Sequence, residues 1–261
     1  MKFLFEDWET VRHRIRRAQT LFLLSGYDGT LTPIVDRPEL ALIPPEVKVL
    51  LERLRDCPKV LLAIISGRSL EDVRAKVGVS GITYVGNHGL EIENPVGVHK
   101  KRLSLSREQE LKKITRSLER SLRPVPGILL EDKGPILTVH YRNVPPKYCL
   151  LVRKAVQEVV GRWRDRWEAI PGKKILEVRP RVDFSKGRTV QQLLDWMPSA
   201  GVLPIYLGDD RPDEDAFRAM PGKGISIFVG PRSTPVAADY SLHDPSEVRE
   251  FLERCLGILG N

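Results

Sequence analysis

The fold is decided by the stretch LFLLSGYDGT, residues 21–30, in which an uninterrupted apolar run leads directly into a polar loop. An apolar run without alternation is typical of a strand that is buried on both faces of a parallel sheet. The same pattern recurs at residues 60–65, 82–85, 204–207 and 225–229. The sequence therefore predicts an α/β fold with a Rossmann-like parallel sheet at its core.

Between the apolar runs the sequence is patterned for helices. Apolar residues recur at helical spacing in residues 47–54, 190–197 and 248–255, which predicts helices that pack on the sheet. Ser69 and Asp244 stand where two helices should begin, and each is followed three residues later by an acidic residue. This spacing resembles a capping box, in which side chains satisfy the first free amides of a helix.

The middle of the chain breaks this alternation. From about residue 104 the predicted order is helix, strand, strand, and the same order then repeats once. Such an order predicts a small α+β cap inserted into the α/β domain. We place the core at residues 1–96 and 183–261 and the cap at residues 97–182.

Composition restricts the class of protein. The chain has 261 residues, of which 41% are apolar and 29% charged, as in a soluble globular protein. Its net charge of +8 is spread along the sequence, which favours small anions over nucleic acid as partners. Cys57, Cys149 and Cys255 lack the spacing of a disulfide framework or a zinc site. With no predicted membrane span or signal peptide, we expect a cytoplasmic monomer with a small-molecule partner, no nucleic acid and no membrane.

Polar residues follow the apolar runs at the points where the predicted strands end. Residues 25–30 follow the first run, residues 66–68 follow the second, and residues 208–210 follow the run at 204–207. Because ligands bind outside the carboxyl ends of strands in an open parallel sheet, we expect these loops to converge on one site.

The residue types in these loops indicate a metal and an anion. Four aspartates lie in or beside them: Asp28, Asp209, Asp210 and Asp213. Brought together, their carboxylates would repel one another unless a divalent cation lay among them, and Mg²⁺ prefers oxygen ligands of this kind. Ser66 adds a hydroxyl donor and Lys186 a positive charge, and this combination suits a phosphate group.

In chain order, four short motifs resemble those of the haloacid dehalogenase superfamily of phosphatases. They are Tyr27-Asp28-Gly29-Thr30-Leu31, Ile65-Ser66-Gly67-Arg68, Lys186-Gly187 and Gly208-Asp209-Asp210. Four further segments are similar to the trehalose-6-phosphate phosphatase family: GNHGLE at residues 86–91, EDK at 131–133 followed by HYR at 140–142, and Asp213-Glu214 after the fourth motif. The resemblance extends from about residue 21 to residue 252 and includes the inserted cap.

The resemblance implies a role for each matching residue. Asp28 would be the general acid and base, while Ser66 and Lys186 would hold the phosphoryl oxygens. The metal ligands implied for Mg²⁺ are the main-chain carbonyl of Asp28 together with Asp209, Asp210 and Asp213. The residues implied to bind the sugar phosphate are Arg68, Asn87, His88, Glu131, Lys133, Glu177 and Arg179. Buried groups matched to sugar hydroxyls give specificity, because each one left unpaired costs about 1–3 kcal/mol.

One position departs from the family pattern. The family has an aspartate two residues before the acid and base, where it serves as nucleophile and metal ligand, and this chain has Gly26 there. Glycine has no side chain that could attack phosphorus, and loss of a covalent nucleophile costs on the order of 10⁶ in turnover. The expectation is a trehalose 6-phosphate phosphatase scaffold of the aspartyl-phosphate type that is inactive or strongly impaired at Gly26. Ser185 and Pro212 are smaller departures, which affect substrate positioning more than reaction class.

Several alternatives stay open at this point. Three explanations of Gly26 are open. It is an engineered substitution, or the chain is a natural pseudoenzyme that binds a sugar phosphate for regulation, or the chain is a diverged phosphatase that uses another catalytic route. Spacing alone does not distinguish trehalose 6-phosphate from sucrose phosphate or mannosyl-3-phosphoglycerate. Nucleic-acid binding is the least favoured function.

Overall fold

The computed structural model describes residues 1–259 except residues 96, 101–103, 182–184, 198–199, 211, 221, 223 and 232. For residues 98–100 it describes the backbone alone. The strands are β1 Lys2–Phe3, β2 Thr20–Gly26, β3 Val60–Ile65, β4 Thr83–Gly86, β5 Glu91–Asn94, β6 Gly97–Lys100, β7 Leu129–Asp132, β8 Leu137–His140, β9 Trp167–Pro171, β10 Ile175–Pro180, β11 Val202–Gly208, β12 Ile225–Val229 and β13 Tyr240–Leu242. The helices are α1 Trp8–Arg17, α2 Pro45–Arg55, α3 Leu70–Val77, α4 Leu105–Leu122, α5 Pro146–Gly161, α6 Lys186–Asp195, α7 Asp213–Ala219 and α8 Pro245–Leu259.

The apolar runs of the sequence form the centre of one large sheet. Among the described residues its strand order is β1-β13-β12-β11-β2-β3-β4-β5-β6. In this order, each strand from β1 to β4 runs parallel to its neighbour. Strand β5 is antiparallel to β4. The predicted α/β class with a parallel central sheet is confirmed. Because β2 lies between β11 and β3, the loops after these three strands leave the sheet side by side.

Alternate residues of the central strands face two separate apolar clusters. Leu21 and Leu23 of β2 pack in a cluster that includes residues of α1, α2, α3 and α8. Phe22 and Leu24 point to the other face, where residues of α6 and α7 lie. Both faces of the sheet are therefore covered by helices, and this is why residues 21–24 of β2 are all apolar.

The chain divides into two compact units. The core unit consists of Met1–His99 and Phe184–Asn261, and the inserted unit of Lys100–Asp183. The inserted unit has a four-stranded antiparallel sheet in the order β7-β8-β10-β9. Its apolar cluster joins one face of this sheet, through residues such as Leu137, Val139 and Val178, to the helices α4 and α5.

The two helix starts predicted from the sequence are capped by side chains in the structure. The side chain of Ser69 accepts a hydrogen bond from the Asp72 amide, and Asp244 accepts from the amides of Ser246 and Glu247. Both predicted helix caps are thus confirmed.

All three cysteines are free thiols. None of the helices in the described part of the chain is both long and apolar enough to cross a bilayer.

Candidate functional site

The loops after β2 and β11 meet at the carboxyl edge of the sheet. Gly29 has a φ of 76°, a left-handed conformation that glycine adopts without strain. A methyl group at Gly29 would overlap the carboxylate of Asp209, so that carboxylate lies directly against the backbone that follows Asp28. The structure therefore brings together the first and fourth motifs, as their positions at strand ends predicted.

Asp28 is held by the arginine of the second motif. Arg68 donates from Nη2 to one oxygen of Asp28 at 2.6 Å and from Nε to the other at 2.8 Å. The guanidinium also donates to Asp72, at 2.7 Å from Nη1, and to the carbonyl of Pro38, at 3.0 Å from Nη2. Such a two-pronged pair fixes the orientation of a carboxylate as well as attracting it. Arg68 thus contacts the proposed acid and base directly, and its predicted contact with substrate stays a prediction.

Three aspartates at the end of β11 form an acidic cluster. One carboxylate oxygen from each of Asp209, Asp210 and Asp213 lies within 4.8 Å of the others. Burial raises the pKa of Asp210 well above its ordinary value, against the opposing effect of Lys186. Among the described residues, the buried Oδ1 of Asp210 has no hydrogen-bond partner, although the ammonium of Lys186 lies 3.5 Å from it. A buried carboxylate oxygen in this condition fits a divalent cation, and oxygen ligands suit Mg²⁺.

Asp213 also fixes the position of the other two aspartates in the cluster. Its Oδ1 accepts hydrogen bonds from Lys186 at 2.6 Å and from the Tyr206 hydroxyl at 2.5 Å. Its Oδ2 accepts from the backbone amides of Asp209 and Asp210, both at 3.1 Å. Asp213 therefore holds the loop that carries the other two aspartates. Its predicted role as a metal ligand stays a prediction, because the structure shows both its oxygens engaged with protein donors.

Electrostatics keep the Lys186–Asp213 pair ionised. Burial alone would raise the pKa of Asp213, but Lys186 and the hydrogen bonds outweigh it and lower that pKa to about 2. Burial likewise opposes the charge on Lys186, yet Asp210 and Asp213 hold its pKa well above the ordinary value. The ammonium group is thus a fixed positive charge at this edge of the sheet.

Gly26 lies at the end of β2, in a backbone conformation that other residues can adopt. Its φ is outside the left-handed region, so an L-residue could adopt the same backbone conformation. A Cβ atom at Gly26 would lie 2.8 Å from the hydroxyl oxygen and 3.4 Å from the Cβ of Thr30, so Thr30 would have to shift to admit a side chain. That hydroxyl is buried and lacks a hydrogen-bond partner among the described residues. The hydroxyl of Ser25 donates to the carbonyl of Gly26 at 2.9 Å, and a backbone carbonyl is not a general base that could activate it.

The loops after β3 and β4 are joined by backbone hydrogen bonds. The Asn87 amide donates to the carbonyl of Arg68 at 2.7 Å, and the His88 amide donates to the carbonyl of Ser66 at 3.1 Å. Asn87 and His88 have φ values of 48° and 56°, which are uncommon for residues other than glycine. The Oγ of Ser66 accepts from the Arg68 amide at 3.1 Å. Hydrogen bonds therefore link four predicted site residues of the core unit, Ser66, Arg68, Asn87 and His88.

The inserted unit carries a second polar group of predicted site residues. The ammonium of Lys133 lies between two carboxylates, 3.7 Å from Glu131 and 3.9 Å from Glu177. Arg179 is on a neighbouring part of the same sheet and donates to Glu168 at 2.9 Å. The structure thus brings Glu131, Lys133 and Glu177 together and pairs Arg179 with a residue that the sequence did not indicate.

Several contacting residues were missed from sequence. Tyr206 lies inside an apolar strand, where nothing marks it as a partner of Asp213. Asp72 was assigned only to a helix cap, although its carboxylate also binds Arg68. Thr30 and His140 both stood in motifs that supported the resemblance, so that signal could have drawn attention to them.

Comparison with known proteins identifies the family. A sequence profile described as trehalose-phosphatase matches residues 24–246. The chain is 35% identical over 253 residues to trehalose-phosphate phosphatase B of Arabidopsis thaliana, covering 91% of this chain and 67% of that protein. It is 37% identical over 238 residues to a trehalose-phosphate phosphatase of Mycobacterium bovis, covering 87% of this chain and 59% of that protein. The chain thus spans less than two thirds of the mycobacterial relative.

A solved structure gives the same result. The C-terminal domain of Candida albicans trehalose-6-phosphate phosphatase has a TM-score of 0.82 and 25% identity, covering 96% of this chain and 97% of that one. The profile match covers well over half of the chain and includes the strand-end motifs that build the acidic cluster. The chain belongs to the trehalose-phosphatase family.

Proposed function

We propose that the chain is a Mg²⁺-dependent trehalose 6-phosphate phosphatase scaffold in which Gly26 occupies the position of the nucleophile. As it stands, the chain binds trehalose 6-phosphate and hydrolyses it very slowly. The observation that carries this proposal is the close approach of Asp209 to the backbone that follows Asp28, beside a glycine whose backbone conformation other residues can adopt. The curated relatives are named for this phosphatase activity.

The core unit supplies the groups for phosphoryl transfer. Asp209, Asp210 and the main-chain carbonyl of Asp28 would hold the Mg²⁺ ion. When bound, the ion supplies positive charge that offsets the charge of the phosphoryl oxygens. Lys186 adds a fixed charge beside it, and Ser66 is placed to donate from its hydroxyl. The residues that the resemblance assigns to the sugar are Asn87, His88, Glu131, Lys133, Glu177 and Arg179.

With a carboxylate at position 26, the reaction has two steps. The carboxylate oxygen attacks phosphorus, the ester P–O bond breaks, and the leaving sugar oxygen takes a proton from Asp28. Asp28 then accepts a proton from water, whose oxygen attacks the same phosphorus and releases phosphate and the carboxylate. Asp28 donates a proton in the first step and accepts one in the second, and the two hydrogen bonds from Arg68 hold its carboxyl group in place.

Restoring the carboxylate tests this proposal. Phosphate release in MgCl₂ should rise by several orders of magnitude in Gly26→Asp, because loss of a covalent nucleophile costs on the order of 10⁶. Gly26→Asn is the matched control: it adds the same volume without a nucleophile and should stay at the level of the parent. Sucrose phosphate and mannosyl-3-phosphoglycerate serve as competing substrates. Hydrolysis of another ester in preference to trehalose 6-phosphate contradicts the substrate, and no hydrolysis of any ester contradicts the enzyme.

Gly26 itself favours a second candidate, a sugar-phosphate binding protein with a regulatory role. This function predicts micromolar affinity for trehalose 6-phosphate in the parent chain and little additional turnover in Gly26→Asp. Calorimetry on the parent, combined with the phosphate-release assay, separates the two candidates.

A further inference from the structure

His140 belongs to the HYR segment at residues 140–142, for which the proposed function gives no role. It is the last residue of β8, where side chains alternate between the two faces of the sheet. Leu137 and Val139 point into the apolar cluster with the helices α4 and α5. His140 therefore lies on the opposite face, which is the face that carries the polar residues of the inserted unit.

The register of the sheet places His140 in line with these polar residues. Thr138 pairs with Glu131 of β7 on one side and with Glu177 of β10 on the other. Residues that pair directly across strands share a face, and a residue two positions along the strand is a diagonal neighbour. His140 is thus the diagonal neighbour of Glu131.

The contact between the two side chains is short. Nε2 of His140 lies 2.7 Å from Oε2 of Glu131, and since a carboxylate only accepts, the imidazole N–H donates. The ammonium of Lys133 is farther from Glu131, at 3.7 Å. His140, whose side chain is only 15% exposed, therefore makes the shorter of these two contacts with the Glu131 carboxylate.

The same face contains a polar group that the protein does not satisfy. The hydroxyl of Thr138 is buried between Glu131 and Glu177 and has no hydrogen-bond partner within the described part of the chain. Buried hydroxyls are nearly always paired, with protein or with something bound to it. Thr138, Glu131 and Glu177 thus form a group of polar side chains on the face of the sheet that His140 shares.

We propose that His140 is a positioning residue that orients Glu131 for recognition of sugar hydroxyl groups. This inference rests on the proposed function, in which Glu131 reads the sugar. A glutamate held in one orientation loses less conformational freedom on binding than a mobile one, so the hydrogen bond increases affinity for the sugar. The phosphate group, which is held by the core unit, gains nothing from His140.

Three substitutions and two ligands test the role of His140 in the chain as it stands. His140→Phe removes the donor, His140→Gln places an amide N–H near the position of Nε2, and His140→Asn carries the same amide on a shorter side chain. Calorimetry in MgCl₂ measures trehalose 6-phosphate and, as the ligand without a sugar, inorganic phosphate. We expect Phe and Asn to weaken binding of trehalose 6-phosphate about tenfold and Gln to stay close to the parent. Inorganic phosphate should bind equally to all four proteins.

Non-additivity distinguishes positioning from a structural role. Because His140 acts through Glu131, adding His140→Phe to Glu131→Gln should weaken binding no further. Equal affinity of His140→Phe and the parent for trehalose 6-phosphate, or a parallel loss for inorganic phosphate, overturns the inference. A parent that binds inorganic phosphate alone overturns it together with the sugar assignment. If the parent binds trehalose 6-phosphate as expected but Gly26→Asp hydrolyses nothing, only the proposed catalysis fails.

Discussion

At the scale of single residues, Gly26 and Thr30 form a pair that can be tested by stability. Thr30 has a buried hydroxyl without a partner among the described residues, so Thr30→Val should leave the free energy of unfolding of the parent unchanged or raise it. In Gly26→Asp the hydroxyl could donate to the new carboxylate, and the same substitution should then lower that free energy by about 1–2 kcal/mol. Urea unfolding of the four proteins measures the difference. Equal effects in both backgrounds would show that the two side chains do not interact.

At the scale of an element, helix α8 depends on Asp244 at its start. Oδ1 of Asp244 accepts from the Ser246 amide at 2.8 Å and from the Glu247 amide at 3.3 Å. Asp244→Ala should destabilise the protein by about 1 kcal/mol, as measured by urea unfolding, while Asp244→Asn should retain most of the cap.

The hydrogen bonds from Ser246 lower the pKa of Asp244 below its ordinary 3.8. A lowered carboxyl pKa stabilises the fold above that value, so the penalty of Asp244→Ala should shrink as the pH falls below about 4. A penalty that is constant from pH 6 to pH 3 contradicts this.

At the scale of the whole molecule, the two units have separate apolar clusters. Ile114 is fully buried in the inserted unit and Ile227 is fully buried in the core unit. Replacing either by alanine should cost about 2–5 kcal/mol locally. Hydrogen exchange should then accelerate within residues 104–181 for Ile114→Ala and in the large sheet for Ile227→Ala, because local opening follows local packing. Equal acceleration in both units for either variant contradicts separate cores.

The sequence predicts the sheet and the strand-end loops well, for a physical reason. The residues of a buried parallel strand are mostly apolar, and the loops after such strands meet at one edge of the sheet. The sequence alone therefore places Asp28 and Asp209 close together. Side-chain partners are different, because they depend on reach and rotamer. The sequence therefore did not show that Arg68 binds Asp28, that Asp213 takes two backbone amides, or that His140 contacts Glu131.

The two backbone hydrogen bonds that join the loops after β3 and β4 have a practical consequence for redesign. Residues 66–68 and 86–90 are linked peptide to peptide, and Asn87 and His88 adopt backbone angles that few side chains tolerate. Exchanging one segment with that of a relative would leave the other without its matching amides and carbonyls. Altered substrate preference is thus best sought by transplanting both segments together, as a single cassette.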